Sequence, residues 1–330
     1  MKIAVEKQIT KGNKQKAVAG NRSPVARGLV FHCLLPAACC LLVLFLLSAC
    51  QGAVVYKDHP RLPKVALVLG GGAARGYAHV GVLKVLEEEK VPVDLVVGTS
   101  AGSVVGALYA SGMTAKHMEE FGGNLDKWAV ADFTLTKGGL IKGDKLESLL
   151  NQRFKGVNVE QLRISFAAVA TDLKTGKRVV LGKGPVTKAL RASCSVPGIF
   201  VPVEREGMLL VDGGVVDQVP IDVAKELGAD IVIAVDISKD ARAEKVEDII
   251  DVLLATIDIM GERLTKYQSK GAEVLIAPEV GQIGSTDFTK KRECILAGQL
   301  AATRALPAIY QAFEDYGALA MYGKTRSKSR

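Results

Sequence analysis

In "VVGTSAGSVVG", residues 96–106, a serine lies between two glycines in the order Gly98-Thr99-Ser100-Ala101-Gly102. An apolar run, Leu95-Val96-Val97, precedes it and a helical pattern follows. That is the layout of a nucleophile elbow, a sharp strand-to-helix turn that lifts a hydroxyl clear of the sheet. A serine hydroxyl attacks only as its proton leaves, so this chemistry requires a base. Upstream, "LGGGAARG" runs from Leu69 to Gly76. Glycines between a strand and a helix let backbone amides approach an anion.

The glycine run is not a dinucleotide loop. A G-x-G-x-x-G pattern started at Gly70 meets Arg75 where its third glycine belongs, and one started at Gly71 meets Ala73 at its second. Nor does a Gly-Lys-Ser/Thr follow, which excludes a P-loop. An oxyanion hole remains, with the amides of Gly71, Gly72 and Ala73 facing a developing charge and Arg75 adding positive field. The competing reading is a tight turn that needs glycine for positive φ.

The base is the harder question. A Ser-His-Asp triad on an α/β-hydrolase places its histidine late in the chain. The four histidines are His32, His59, His79 and His117, and none lies beyond 117. A carboxylate can serve instead if a dry site raises its pKa. Asp172, Asp212 and Asp236 each end an apolar run, and ligands gather at the carboxyl ends of parallel strands. Gly213 and Gly214 follow Asp212 at once and leave the backbone bare for close approach, whereas Asp172 and Asp236 suit helix caps. No metal signature is present and no cofactor is expected.

The elements that position these residues alternate strand and helix. Apolar runs at 65–70, 93–98, 166–172, 178–182, 208–214 and 230–236 read as strands, while 78–90, 100–110 and 221–229 have helical spacing. Strands with continuous rather than alternating hydrophobicity predict an α/β fold with a largely parallel sheet covered on both faces. Beyond residue 239, 246–267 and 290–314 read as helices and 273–279 as a strand. This tail is expected to pack on the same domain.

The 330 residues carry a net charge of +8, but +6 of it falls within residues 1–28, and residues 29–50 carry none. The near-neutral remainder implies no basic surface for nucleic acid. A basic segment, an apolar stretch and Leu47-Ser48-Ala49-Cys50 resemble a bacterial lipoprotein signal, with a simple membrane anchor as the alternative. The expected division is a signal peptide at 1–49, a tether at 50–63, a catalytic domain at 64–238 and a C-terminal extension at 239–330. Cys50 would carry lipid and tie the protein to a membrane surface. Gln51 resembles an outer-membrane sorting signal, facing the periplasm. Cys33, Cys39 and Cys40 would leave with the signal, and Cys194 and Cys294 are expected as buried thiols.

Together the glycine loop ending in Arg75-Gly76, the Gly98-Thr99-Ser100-Ala101-Gly102 elbow and Asp212-Gly213-Gly214 resemble the patatin-like phospholipases. The segments "RASCSVPGIFVPV" (191–203) and "LLVDGGVVDQVP" (209–220) are similar to the bacterial branch related to neuropathy target esterase. A looser echo follows in "AEVLIAPEV" and "AGQLAA". The resemblance implies a three-layer α/β/α fold and lipid ester hydrolysis by a Ser–Asp dyad without histidine, metal or cofactor. It implies Ser100 as nucleophile, Asp212 as base, and Gly71 and Gly72 as oxyanion donors. The family usually has glycine at the position of Ala73, and alanine resists positive φ. Acyl transfer by the same dyad, or a binding lipoprotein without turnover, would be the alternatives.

Overall fold

The structure, a computed structural model, describes residues 62–123, 132–136, 138–238 and 249–317. The leader, Cys50 and most of the tether lie outside them. The chain runs β1 (Val65–Leu69), α1 (Tyr77–Glu88), β2 (Leu95–Thr99), α2 (Ala101–Ala110), α3 (Ala115–Gly122), β3 (Phe133–Thr136), β4 (Gly139–Ile141) and α4 (Asp144–Phe154). It continues through β5 (Ser165–Asp172), β6 (Lys177–Leu181), α5 (Val186–Ser193), β7 (Gly198–Phe200), β8 (Val203–Arg205), β9 (Met208–Asp212) and α6 (Ile221–Glu226). The last elements are β10 (Ile231–Val235), α7 (Ile249–Gln268), β11 (Val274–Ile276) and α8 (Lys291–Asp315).

The predicted parallel sheet is present. Its order is β11-β10-β1-β2-β5-β9-β8, with β6 also paired to β5. The five strands from β11 to β5 are mutually parallel. β1, β2 and β10 are buried at every position. The reason is that each face carries its own core. In β1, Val65, Leu67 and Leu69 join the core under α1, α2 and α8, while Ala66 and Val68 join the other, with Ile221 and Val223 of α6. Side chains alternate across a strand, so a run of unbroken apolar residues fills both layers.

Two features depart from the sequence reading. β9 pairs with β5 antiparallel, Asp212 opposite Ala170. And a second sheet, β3-β4-β7, was not anticipated. Its strands are three or four residues long, too short for periodicity to mark them. The tail is part of the same compact unit as the rest of the described chain. β11 extends the main sheet, and α8 lies along α1.

Candidate active site

Ser100 sits at φ 52°, ψ −124°, a left-handed conformation that non-glycine residues seldom adopt. Strain of this kind costs about 1–3 kcal/mol and persists only where the surroundings enforce it. Here they do. A Cβ on Gly98 would lie 2.5 Å from the Gly102 carbonyl, and one on Gly102 would lie 2.2 Å from that of Leu69. The glycines of the motif therefore let α2 begin directly over the ends of β1 and β2. The Ser100 amide donates to Ser193 Oγ at 3.0 Å, and Ser193 donates in turn to Val169 O at 2.6 Å. The elbow is pinned to β5.

Asp212 reaches Ser100 by a route the sequence reading did not foresee. β2 pairs with residues 165–169 of β5, and β9 pairs with residues 170–172. β6 pairs with residues 168–172 and overlaps both, so it occupies the opposite edge. β2 and β9 therefore share one edge and run toward each other, with Thr99 opposite Val169 and Asp212 opposite Ala170. Two strands meeting end to end bring the residue after Thr99 against Asp212. The expectation that Asp212 leaves a parallel strand is corrected: the place is right, the direction of the strand is not.

The carboxyl group is 2% exposed. Its Oδ1 accepts from the Gly214 amide at 2.8 Å. Oδ2 is buried and makes no complete hydrogen bond among the described residues. Burial raises the pKa to about 6, with the nearby Ser100 hydroxyl and the Gly214 amide pulling the other way. Desolvation dominates because the charged form loses water and gains only one full hydrogen bond in return.

The glycine loop crosses the same cleft, and here the structure corrects two assignments. The Gly71 amide donates to the backbone oxygen of Gln218 at 3.1 Å, while Gln218 Nε2 donates back to the Gly71 carbonyl at 3.0 Å. Gly71 is thus clamped and its amide is taken. The amides of Gly72 and Ala73 carry no hydrogen bond among the described residues and stand at the start of the turn at 73–76. Ala73 has φ 46°, the conformation its type resists. Arg75 does not lend free positive field: its guanidinium is 1% exposed and ion-paired with Asp258 at 2.5 Å. Ser285 Oγ accepts from Arg75 at 3.0 Å and donates to Asp258 at 2.6 Å. The Ala74 amide donates to Ser285 O at 3.0 Å. Arg75 is a fastener between the loop, α7 and the segment before α8.

The two described histidines and the other two strand-ending aspartates stand apart from the nucleophile. His79 is fully buried, its pKa lowered to about 4 by desolvation, and its Nε2 contacts Gly70 O at 2.8 Å. His117 is exposed and pairs with Thr114. Asp172 accepts from Thr175 Oγ1 at 2.7 Å, and Asp236 from Ser238. Both are turn residues. The two cysteines among the described residues are unpaired. Cys294 is buried as expected, whereas Cys194 is only half-buried as a residue. Its thiol nonetheless lies inside, pushed up to about 12 by burial, with the Ser103 and Ser100 hydroxyls in reach. Such a thiol stays protonated and does not compete as nucleophile.

Val196, Leu254 and Ile257 wall the cleft beside Ser100, Asp212 and the loop. Sequence reasoning missed Ser193, Gln218, Asp258 and Ser285. The first two lie inside the quoted segments 191–203 and 209–220, which could have marked them; the other two sit in the tail with no motif around them.

A strained serine, a desolvated carboxylate beside it and two amides without a backbone partner thus meet in one apolar cleft. Residues 67–225 match the model of the patatin-like phospholipase family. An uncharacterized NTE family protein of Mycobacterium tuberculosis is 37% identical over 186 residues, which is 53% of this chain and 49% of that protein. Lysophospholipase nte1 of Aspergillus fumigatus is 38% identical over 179 residues, 52% of this chain and 12% of that protein. The chain thus spans about half the length of the first relative and much less of the second. Among solved structures, VipD from Legionella pneumophila aligns with TM-score 0.43 at 13% identity, covering 74% of this chain and 67% of that one.

Proposed function

We propose that the protein is a lipid acyl hydrolase in which Ser100 attacks and Asp212 moves the proton. The observation that carries this reading is Asp212 Oδ2, buried, lacking a complete hydrogen bond and adjacent to a strained serine. In the first half-reaction the Ser100 proton passes to Asp212 Oδ2 as Oγ bonds to the ester carbonyl carbon. The oxyanion that forms is met by the Gly72 and Ala73 amides, preorganised donors that need no rearrangement. Collapse breaks the ester bond, and Asp212 gives its proton to the leaving alcohol. In the second half-reaction water loses a proton to Asp212 as it attacks the acyl-serine, and collapse releases the fatty acid while Asp212 returns the proton to Ser100 Oγ. Val196, Leu254 and Ile257 offer the acyl chain an apolar wall.

A fluorophosphonate ester probe tests the nucleophile directly. The adduct is expected on Ser100 and to vanish in Ser100→Ala; an adduct on Ser103 or Ser193 would remove the assignment. The membrane location belongs to the same reading. Leu47-Ser48-Ala49-Cys50 supports processing before Cys50, acylation of its thiol and residence on a membrane, with Gln51 favouring the outer membrane facing the periplasm. Mass spectrometry of the mature N-terminus is expected to find acylated Cys50. Residues 1–49 still attached would instead make the leader a plain anchor.

A further inference from the structure

We propose that α7 is the surface by which the enzyme rests on a lipid layer, an inference that builds on the lipid-hydrolase reading above. The helix is amphipathic in the wrong sense for water. Its inner face is already occupied: Leu253 and Leu254 pack on Ile199 of the small sheet, Gly261 lies against Gln218, and Thr265 is 3% exposed. The outward stripe falls at 249, 252, 256, 259, 260, 263, 266 and 267, the three- and four-residue spacing of one helical face. A surface helix usually presents polar residues there. This one presents Ile249 (58% exposed), Val252 (45%), Ile259 (58%) and Met260 (48%) over its first three turns, interrupted only by Thr256.

The character of the stripe then changes. Arg263, Lys266 and Tyr267 follow, all exposed, Tyr267 at 79%. Lys266 pairs with Glu262 on its own helix, at 3.1 Å. Apolar turns followed by basic residues and a tyrosine match the depth profile of a lipid interface, with acyl chains below and phosphates above. Position supports the same partner. Leu254 and Ile257 of this helix wall the catalytic cleft, and Asp258 holds Arg75 of the glycine loop. A lipid bound at the outer face is therefore one helix width from Ser100's cleft. A second copy of the chain fits less well. A 20-residue helix offers a face of about 30 Å by about 10 Å, roughly 300 Å², against about 800 Å² per partner in a stable interface.

The test uses the full-length protein and vesicles of phosphatidylcholine and phosphatidylglycerol. The chain has one tryptophan, so Ile259→Trp is read against that background. Its added emission is expected to shift to the blue and be quenched when the vesicles carry brominated acyl chains. The double variant Ile259→Ser/Met260→Ser is expected to hydrolyse vesicle phospholipid about tenfold more slowly, since two apolar side chains no longer enter the layer. Its rate on a dissolved short-chain nitrophenyl ester should match the wild type. Unquenched emission with an unchanged vesicle rate overturns the proposal. So does a dimer of the wild type, seen by sedimentation, that the double variant dissociates. Quenching by a protein that hydrolyses neither substrate would leave the docking face standing and remove the hydrolase reading instead.

Discussion

Burial sets the behaviour of Asp212 in both stability and rate, and the two effects have opposite signs. Its folded pKa of about 6 lies above the ordinary carboxyl value of about 3.9. The unfolded chain therefore gives up this proton first as pH rises. Below about pH 4 the group is neutral in both states and costs nothing; from there to about pH 6 folding loses stability, and above that the loss is constant at about 3 kcal/mol. Asp212→Asn should accordingly melt higher than the wild type at pH 7 and show no gain at pH 4. The same substitution removes the proton acceptor, so kcat should fall by roughly 10²-fold or more. In the wild type, kcat/KM should rise with pH through an apparent pKa of about 6, since only the ionised carboxyl accepts. An Asp212→Asn protein with near-normal turnover would end the dyad. The residue itself was legible: a strand-ending aspartate before two glycines, in a chain without a late histidine. Its antiparallel approach was not, because strand direction depends on which edge of β5 is open.

At the scale of elements, the glycine loop is a strained segment fastened from several sides. Ala73 adopts φ 46° although a Cβ opposes it, so Ala73→Gly should relieve strain and raise stability. The gain should be about 0.5–1 kcal/mol after the extra chain entropy of glycine is counted, and denaturant titration reads it. If the loop gives up nothing on this change, the conformation is not strained. The fastener is testable too. Asp258→Asn leaves the buried Arg75 guanidinium without its counter-charge, which should cost about 3 kcal/mol. Because Arg75 directs the turn that presents the free amides, kcat should fall further than KM rises. Ser285→Ala, which removes two hydrogen bonds and no charge, should act in the same direction with a smaller effect. Unchanged kinetics in both would make the cluster purely structural. The motif around Arg75 drew notice as chemistry, yet its partner Ser285 lies 210 residues away. Contacts at that separation leave no local pattern, so positive field was the natural reading and pairing the actual one.

For the whole molecule, the tail beyond residue 239 decides whether the catalytic layers stay together. α1 and α8 approach through two glycines that face each other's backbone. A Cβ on Gly81 would lie 1.9 Å from Ile295 O, and one on Gly298 would lie 2.0 Å from Ala78 O. Main chain cannot yield as a flexible side chain does, so any larger residue must push the helices apart. Ala302, fully buried, continues the small-residue face, which gives the "AGQLAA" echo a physical meaning. Sequence showed small residues there but not the helix they touch. α1 also starts directly after the turn at 73–76, so displacing it should disturb the amides at the cleft. Gly298→Val is therefore expected to lower the unfolding free energy by about 3 kcal/mol or more. It should also reduce ester hydrolysis, although no residue of α8 lines the cleft. Leu300→Ser, at a position half exposed on the same helix, provides the control and should stay within about 0.5 kcal/mol of the wild type. Urea titration with fluorophosphonate labelling of Ser100 measures both effects on one sample. A Gly298→Val protein with wild-type stability and labelling would mean that α8 is an appendage to the catalytic layers.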